Sequence, residues 1–201
     1  MDDIVRKAMA KWPNVPHCYG WLALDARGAW RMRDERAQAE GLPGERVSQP
    51  ALRGFINRNY CSDAEGRWYF QNGPQRVFVN LETTPYIART DHAGGFVLHT
   101  GEAVASVDGV WMSVAGRLVL RCDGRIAMIE DRDLAECIGM LRLDGRTPRD
   151  EALLAWLAGA AGAMTLALPA GELPVQRLAD EDLGPRFGYV AQPAGNDQPL
   201  S

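Results

Sequence analysis

Apolar positions recur at helical spacing over residues 2–11, where Ile4, Val5, Ala8 and Met9 share one face, and Pro13 and Pro16 end the run. The period then shortens to two. Gly20-Trp21-Leu22-Ala23-Leu24-Asp25 and Ala29-Trp30-Arg31-Met32-Arg33-Asp34 alternate on either side of Gly28, which predicts a hairpin. After a polar loop rich in Gly and Pro, Ser48 and Pro50 mark a helix start, and Leu52, Phe55, Ile56 and Tyr60 carry the helix from about residue 49 to 60. A second hairpin follows, with residues 67–70 and 76–81 flanking Asn72-Gly73, a pair that adopts the positive backbone angles of a tight reversal. Further on, residues 96–99 and 110–113 read as a linking hairpin around Asp108-Gly109. Leu153, Trp156 and Leu157 read as a helix, and residues 164–168 and 175–178 as strands.

The two halves resemble each other. Setting residue n against n+96 aligns Gly20 with Gly116, Leu22 with Leu118, Leu24 with Leu120, Gly28 with Gly124 and Met32 with Met128. Trp30 then meets Ile126 and Asp34 meets Glu130, so the two-residue strand period is kept on both faces. The expectation is an α+β protein of two related antiparallel β-sheet halves with helices, an internal duplication of hairpin, helix, hairpin. Its divisions are an N-terminal helix and Pro-rich lead-in over 1–19, a first repeat over 20–95, a linking hairpin and second repeat over 96–190, and a disordered tail over 191–201. The halves are expected to pack through the faces that carry Trp30, Trp68 and Trp111.

Composition narrows the chemistry. With 46% hydrophobic and 24% charged residues the chain is an ordinary globular protein. Its net charge of −4 gives no basic surface for nucleic acid, so none is expected as a partner. Lys7 and Lys11 are the only lysines, and neither lies in the context of a Schiff-base lysine or a phosphate-binding P-loop. Cys18, Cys61, Cys122 and Cys137 show no paired spacing, and the N-terminus lacks the apolar run of a signal peptide, which reads as a reduced, cytoplasmic protein. Residues 152–171 form an uncharged run about long enough to span a bilayer. Gly159, Gly162 and Pro169 break it, so it reads as a buried helix, a turn and a buried strand, with no membrane partner. His17 beside Cys18 lacks the further ligands a metal site needs, and His92 and His99 read as surface or edge positions; neither metal nor cofactor is expected.

The richest polar and aromatic cluster supplies the candidate site: Asn57, Arg58, Trp68, Tyr69, Gln71, Asn72, Gln75, Arg76 and Glu82. Amides offer donor and acceptor together, Arg grips phosphate or carboxylate through two hydrogen bonds, and Trp or Tyr stacks on a planar base. A nucleotide-like small molecule is the ligand class these groups suit, in a non-enzymatic binding or signalling module. Turn chemistry, strand alternation and helix capping would explain the same residues. Two other readings remain open: a protein-interaction scaffold, and a hydrolase or transferase using Asp34, Glu82 or Asp131 as general base.

Trp12-Pro13-Asn14-Val15-Pro16, Gly20-Trp21-Leu22-Ala23-Leu24-Asp25, Arg33-Asp34, Phe55-Ile56-Asn57-Arg58-Asn59-Tyr60 and the stretch from Trp68 to Val77 resemble an uncharacterised proteobacterial family of about this length. The resemblance covers about residues 12 to 90. More distantly, the order of a strand with Arg-Asp, a helix, an aromatic strand and a strand ending Glu82-Thr83-Thr84-Pro85-Tyr86-Ile87-Ala88 is similar to a second uncharacterised bacterial family. That second resemblance implies a duplicated core, a pleckstrin-like second half and a nucleotide-type ligand at the domain interface. Neither resemblance brings a catalytic motif.

Overall fold

The computed structural model describes residues 1–91 and 93–195; His92 and the last part of the expected tail, 196–201, lie outside the described residues. The chain divides into two compact units, residues 1–85 joined by the segment from Gly188, and residues 86–187. The first unit thus takes in the N-terminal helix and the start of the expected tail. The boundary falls ten residues before the expected one, because the strand that starts at Tyr86 pairs within the second unit.

The first unit runs α1 (Asp3–Lys11), β1 (Cys18–Leu24), β2 (Trp30–Met32), α2 (Glu35–Ala39), β3 (Glu45–Arg46), α3 (Pro50–Arg58), β4 (Tyr60–Ser62), β5 (Trp68–Asn72) and β6 (Gln75–Leu81). Proline opens α3 at a position where a missing N–H costs nothing. The six strands form one sheet in the order β3-β2-β1-β6-β5-β4. Two antiparallel meanders, β1-β2-β3 and β4-β5-β6, are joined where β1 runs parallel to β6, with Leu22 opposite Val79 and Leu24 opposite Leu81. All four of these side chains are buried.

The second unit runs β7 (Tyr86–Thr90), β8 (Phe96–Leu98), β9 (Val107–Ser113), β10 (Leu118–Cys122), β11 (Arg125–Ile129), α4 (Leu134–Gly139), β12 (Leu141–Leu143), α5 (Asp150–Leu157), β13 (Met164–Leu168), β14 (Gly171–Leu178) and α6 (Leu183–Phe187). Its sheet has the order β12-β13-β14-β9-β10-β11-β7-β8. Again the first strand of one meander, β9, lies parallel to the last strand of the next, β14, with Val110 opposite Val175. The expected duplication is therefore present as one topology used twice, to which the second unit adds the β7-β8 hairpin along β11.

The residue pairing behind that expectation shifts by one hairpin. Topology matches β1-β2 to β9-β10, whereas the 96-residue offset matches them to β10-β11. The reversal at Gly28 then corresponds to the one at Gly116; both glycines, and Gly124 too, have positive φ. Met32 is 47% exposed and Met128 only 4%, so they are not equivalent core positions. Successive hairpins of a meander carry the same two-residue alternation, so a local match fits either one. The linking hairpin is also replaced: β8 pairs with β7, and Asp108-Gly109 lies inside β9, which is held between β10 and β14.

Trp30 and Trp111 are buried, Trp30 edge-on to Tyr60 and Trp111 edge-on to Phe187, and Trp68 is half-buried. The uncharged run 152–171 splits as expected into helix and strand, but α5 is amphipathic: Leu153 and Trp156 are buried while Leu154 is 65% exposed. Among the described residues no helix is long and apolar enough to cross a membrane. Trp156 donates its indole N–H to Gly162 O at 3.2 Å and lies under the Arg177 guanidinium. Trp156→Ala leaves a cavity and is expected to cost ~3–5 kcal/mol, read as a lower urea midpoint.

Candidate functional site

The strand period decides where the sequence-predicted site residues go. On β5, Trp68 and Phe70 face α3: Phe70 meets Phe55 edge-on at 5.4 Å, and Trp68 packs on Tyr60 at 4.8 Å. Tyr69 and Gln71 point to the opposite face, where they stand across from Phe78 and Arg76 of β6. One sequence cluster thus becomes two groups on opposite sides of a sheet.

In the first group Asn57 accepts the Trp30 indole N–H at 2.7 Å, and Arg58 pairs with Asp2, Nε to Oδ1 at 3.2 Å. In the second, Arg76 lies over the Tyr69 ring at 4.7 Å. Gln71 is fully buried, with Nε2 donating to Gly73 O at 2.8 Å. Gln75 Nε2 donates to Pro16 O at 3.1 Å, and Asn72 is exposed at the hairpin end. Burial, aided by a hydrogen bond to Cys61, pushes the Tyr69 phenol up to about 12. Most of these side chains are held by the fold itself.

Glu82 is the exception, because it borders a cavity. Between β2 and β3 the chain arches out through residues 33–44, and two cavities, about 600 and 350 Å³, share Arg33, Leu42 and Pro43 as a common wall. The larger is lined also by Trp21, Met32, Asp34 and Arg36, the smaller by Asp25, Arg31, Asn80, Glu82 and Gln192. The arch is pinned from within. Asp34 Oδ1 caps α2 by accepting from Ala37 N at 2.8 Å, and Arg33 donates from Nε to Leu42 O at 3.0 Å and from Nη2 to Ala37 O at 3.2 Å. Gly44, at φ +81°, returns so close to β2 that an added Cβ would sit 2.2 Å from Met32 O. Arg31 is balanced by Asp25, Nε to Oδ2 at 2.8 Å, and Arg36 by Glu40 at 3.1 Å.

The groove is poor in catalytic groups. Asp25 also accepts from Arg27 N and Ala29 N, and Glu82 accepts from Ala26 N at 2.9 Å. Asp34 serves as the helix cap, and Asp131, the other candidate base, follows β11 in the second unit, away from this arch in sequence. All four cysteines are free, and burial pushes the Cys122 and Cys137 thiols up to about 12, which disfavours the thiolate. Of the groove, the sequence reading named Glu82 as a ligand-binding candidate and, as candidate bases, Asp34 and Glu82. The missed residues sit in the first hairpin and in the loop treated only as rich in Gly and Pro; Arg33-Asp34 was the one local signal.

Two parallel-joined double meanders with interleaved helices define an α+β class of duplicated-topology proteins. The chain belongs to the family described as "Protein of unknown function (DUF2946)", which it matches over residues 1–194. It is similar to a DUF1285 family protein from Silicibacter pomeroyi DSS-3, at 12% identity and a TM-score of 0.50 over 91% of this chain and 98% of that one. It is also similar to a DUF1285 family protein from Shewanella baltica OS155, at 11% identity and a TM-score of 0.39 over 56% of this chain and 85% of that one. The first likeness shows a shared fold. No curated protein matches the chain. Both resemblances read from the sequence, to a family of unknown function and to a second such family, therefore hold.

Two outcomes follow for the residues the strand period separates. Asn57→Ala removes the oxygen that accepts the Trp30 indole N–H, so it is expected to lower unfolding free energy by about 1–3 kcal/mol in urea titrations. The folded chain holds the Tyr69 proton more tightly than the ordinary value of 10, so that stabilisation is complete below pH 10 and is lost as pH rises toward 12. Tyr69→Phe should lose less stability than wild type across that window, measured as urea midpoints against pH.

Proposed function

We propose that the chain is a non-enzymatic module that binds a small organic ligand in the groove beneath the 33–44 arch. The nucleotide-like class expected from the sequence falls within this reading, with the site moved from the Arg76 face to the groove. The observation that carries it is the shared wall: an arch pinned by two hydrogen bonds from Arg33 separates two cavities of ligand size, one beside the 39% exposed indole of Trp21 and the other beside Asn80 and Glu82. Engagement of Asp25, Asp34 and Glu82 in backbone hydrogen bonds supports binding over catalysis.

Native mass spectrometry of the freshly purified chain should show a copurified small mass. In thermal unfolding across a nucleotide panel, a bound member raises Tm with its concentration, by the equivalent of about 2.7 kcal/mol at a hundred times Kd. The same rise should persist in Arg76→Ala, whose side chain lies over Tyr69 outside the groove. A rise abolished by Arg76→Ala would return the site to the Tyr69 face. Absence of both added mass and any rise contradicts the binding reading in favour of a scaffold.

A further inference from the structure

Charge balance around the arch is uneven. Of the three guanidiniums that line the groove, Arg31 has Asp25 and Arg36 has Glu40. Arg33 has only the neutral carbonyls of Leu42 and Ala37, and among the described residues no carboxylate stands within ion-pair distance of it. Yet Arg33 is half-buried, while Arg36, with its partner, is exposed. A guanidinium drawn partly out of water without an anion gives up hydration that an anion would replace. Its two hydrogen bonds occupy the Nε side and one Nη2 hydrogen, so the rest of the fork, which suits a carboxylate or phosphate, is left to the groove. The same hydrogen bonds fix the guanidinium in place, which lowers the entropy that binding would otherwise consume.

The other half of the pattern is apolar. Trp21 and Leu42 are 39% and 42% exposed, and both line the larger cavity that Arg33 borders; Met32, opposite Leu22 in the β1–β2 register, faces away from Trp21. Large apolar side chains gathered around a concavity and left open to solvent mark a contact surface. Two carboxylates line each side, Asp34 and Glu45 the larger and Asp25 and Glu82 the smaller; on the smaller side Asp25 is paired with Arg31, and Asn80 accompanies Arg33. Glu82, on that side, already accepts from Ala26 N.

Resting on the groove reading above, we propose that the ligand is an amphiphilic organic anion. Its carboxylate or phosphate head meets the Arg33 fork, and its planar apolar body lies against Trp21 and Leu42. The head is the part that orients and selects the ligand, since the apolar wall alone offers no directional contact.

The test titrates the full-length ¹⁵N-labelled chain with benzoate, phenyl phosphate and benzamide, following the Trp21 indole N–H signal assigned by Trp21→Phe. Benzoate and phenyl phosphate should each shift it saturably, the tighter of the two identifying the head. Benzamide, the neutral isostere of benzoate, should bind at least about tenfold more weakly. Arg33→Gln should bring benzoate down to the benzamide level, Arg33→Lys should keep part of the difference, and added salt should weaken the anions alone. The Lys variant and the salt series also cover the case in which Arg33→Gln loosens the arch. Benzamide binding as tightly as benzoate, or benzoate unaffected by Arg33→Gln and by salt, overturns the anionic head and leaves the groove reading standing. No shift with any of the three probes overturns this ligand class, while a copurified mass would still uphold the groove.

Discussion

Everything in this chain hangs on one joint made twice: the first strand of one meander lying parallel to the last strand of the next. A parallel pair cannot be closed by a tight turn, and in each unit the chain travels through four further strands and two helices before it returns. That demand places β1 and β6 at the centre of their sheet and β9 and β14 in the interior of theirs, and the register keeps the apolar rows of both strands together. Leu22, Leu24, Val79 and Leu81 in one unit, and Val110, Met112, Val175 and Leu178 in the other, are all buried. Burial of this kind supplies roughly 25 cal/mol per Å² of apolar surface and is the main favourable term in each unit.

Central strands committed to the core leave chemistry to the periphery. In the first unit the outermost strand of one side, β3, is only two residues long, and the chain reaches it through the long excursion of 33–44. A short edge strand protects the sheet from pairing with other chains, and the excursion that delivers it makes a concavity against β1 and β2. Hydrogen bonds from Arg33 to Leu42 and Ala37 hold that excursion in shape. The groove is thus a consequence of how the meander ends.

Much of this was legible in the sequence. Alternation around Gly28 and Asn72-Gly73 gave both hairpins of the first unit, the helical spacing of Phe55 and Ile56 gave α3, and Gly159 and Gly162 correctly broke the long uncharged run into α5 and β13. Long-range pairing was not legible. The alternation of β8 and β9 says that they are strands but not which strands they join, and the repeat could be laid one hairpin out of step without local penalty. The site fared similarly. Trp68 and Tyr69 are neighbours in sequence and lie on opposite faces of the sheet, whereas Trp21, Arg33 and Leu42 are separated in sequence and meet only once the arch has folded.

Both units stand on the parallel joints, and amide hydrogen exchange of the intact chain probes these joints most directly, since the slowest amides report the last structure to open. The amides of residues 22–24 and 79–81, and those of 110–112 and 175–178, should be the most protected of their units, with β3 and β12 exchanging well before them. Exchange at β6 or β14 as fast as at those edge strands would contradict the shared topology and the placement of the groove that follows from it.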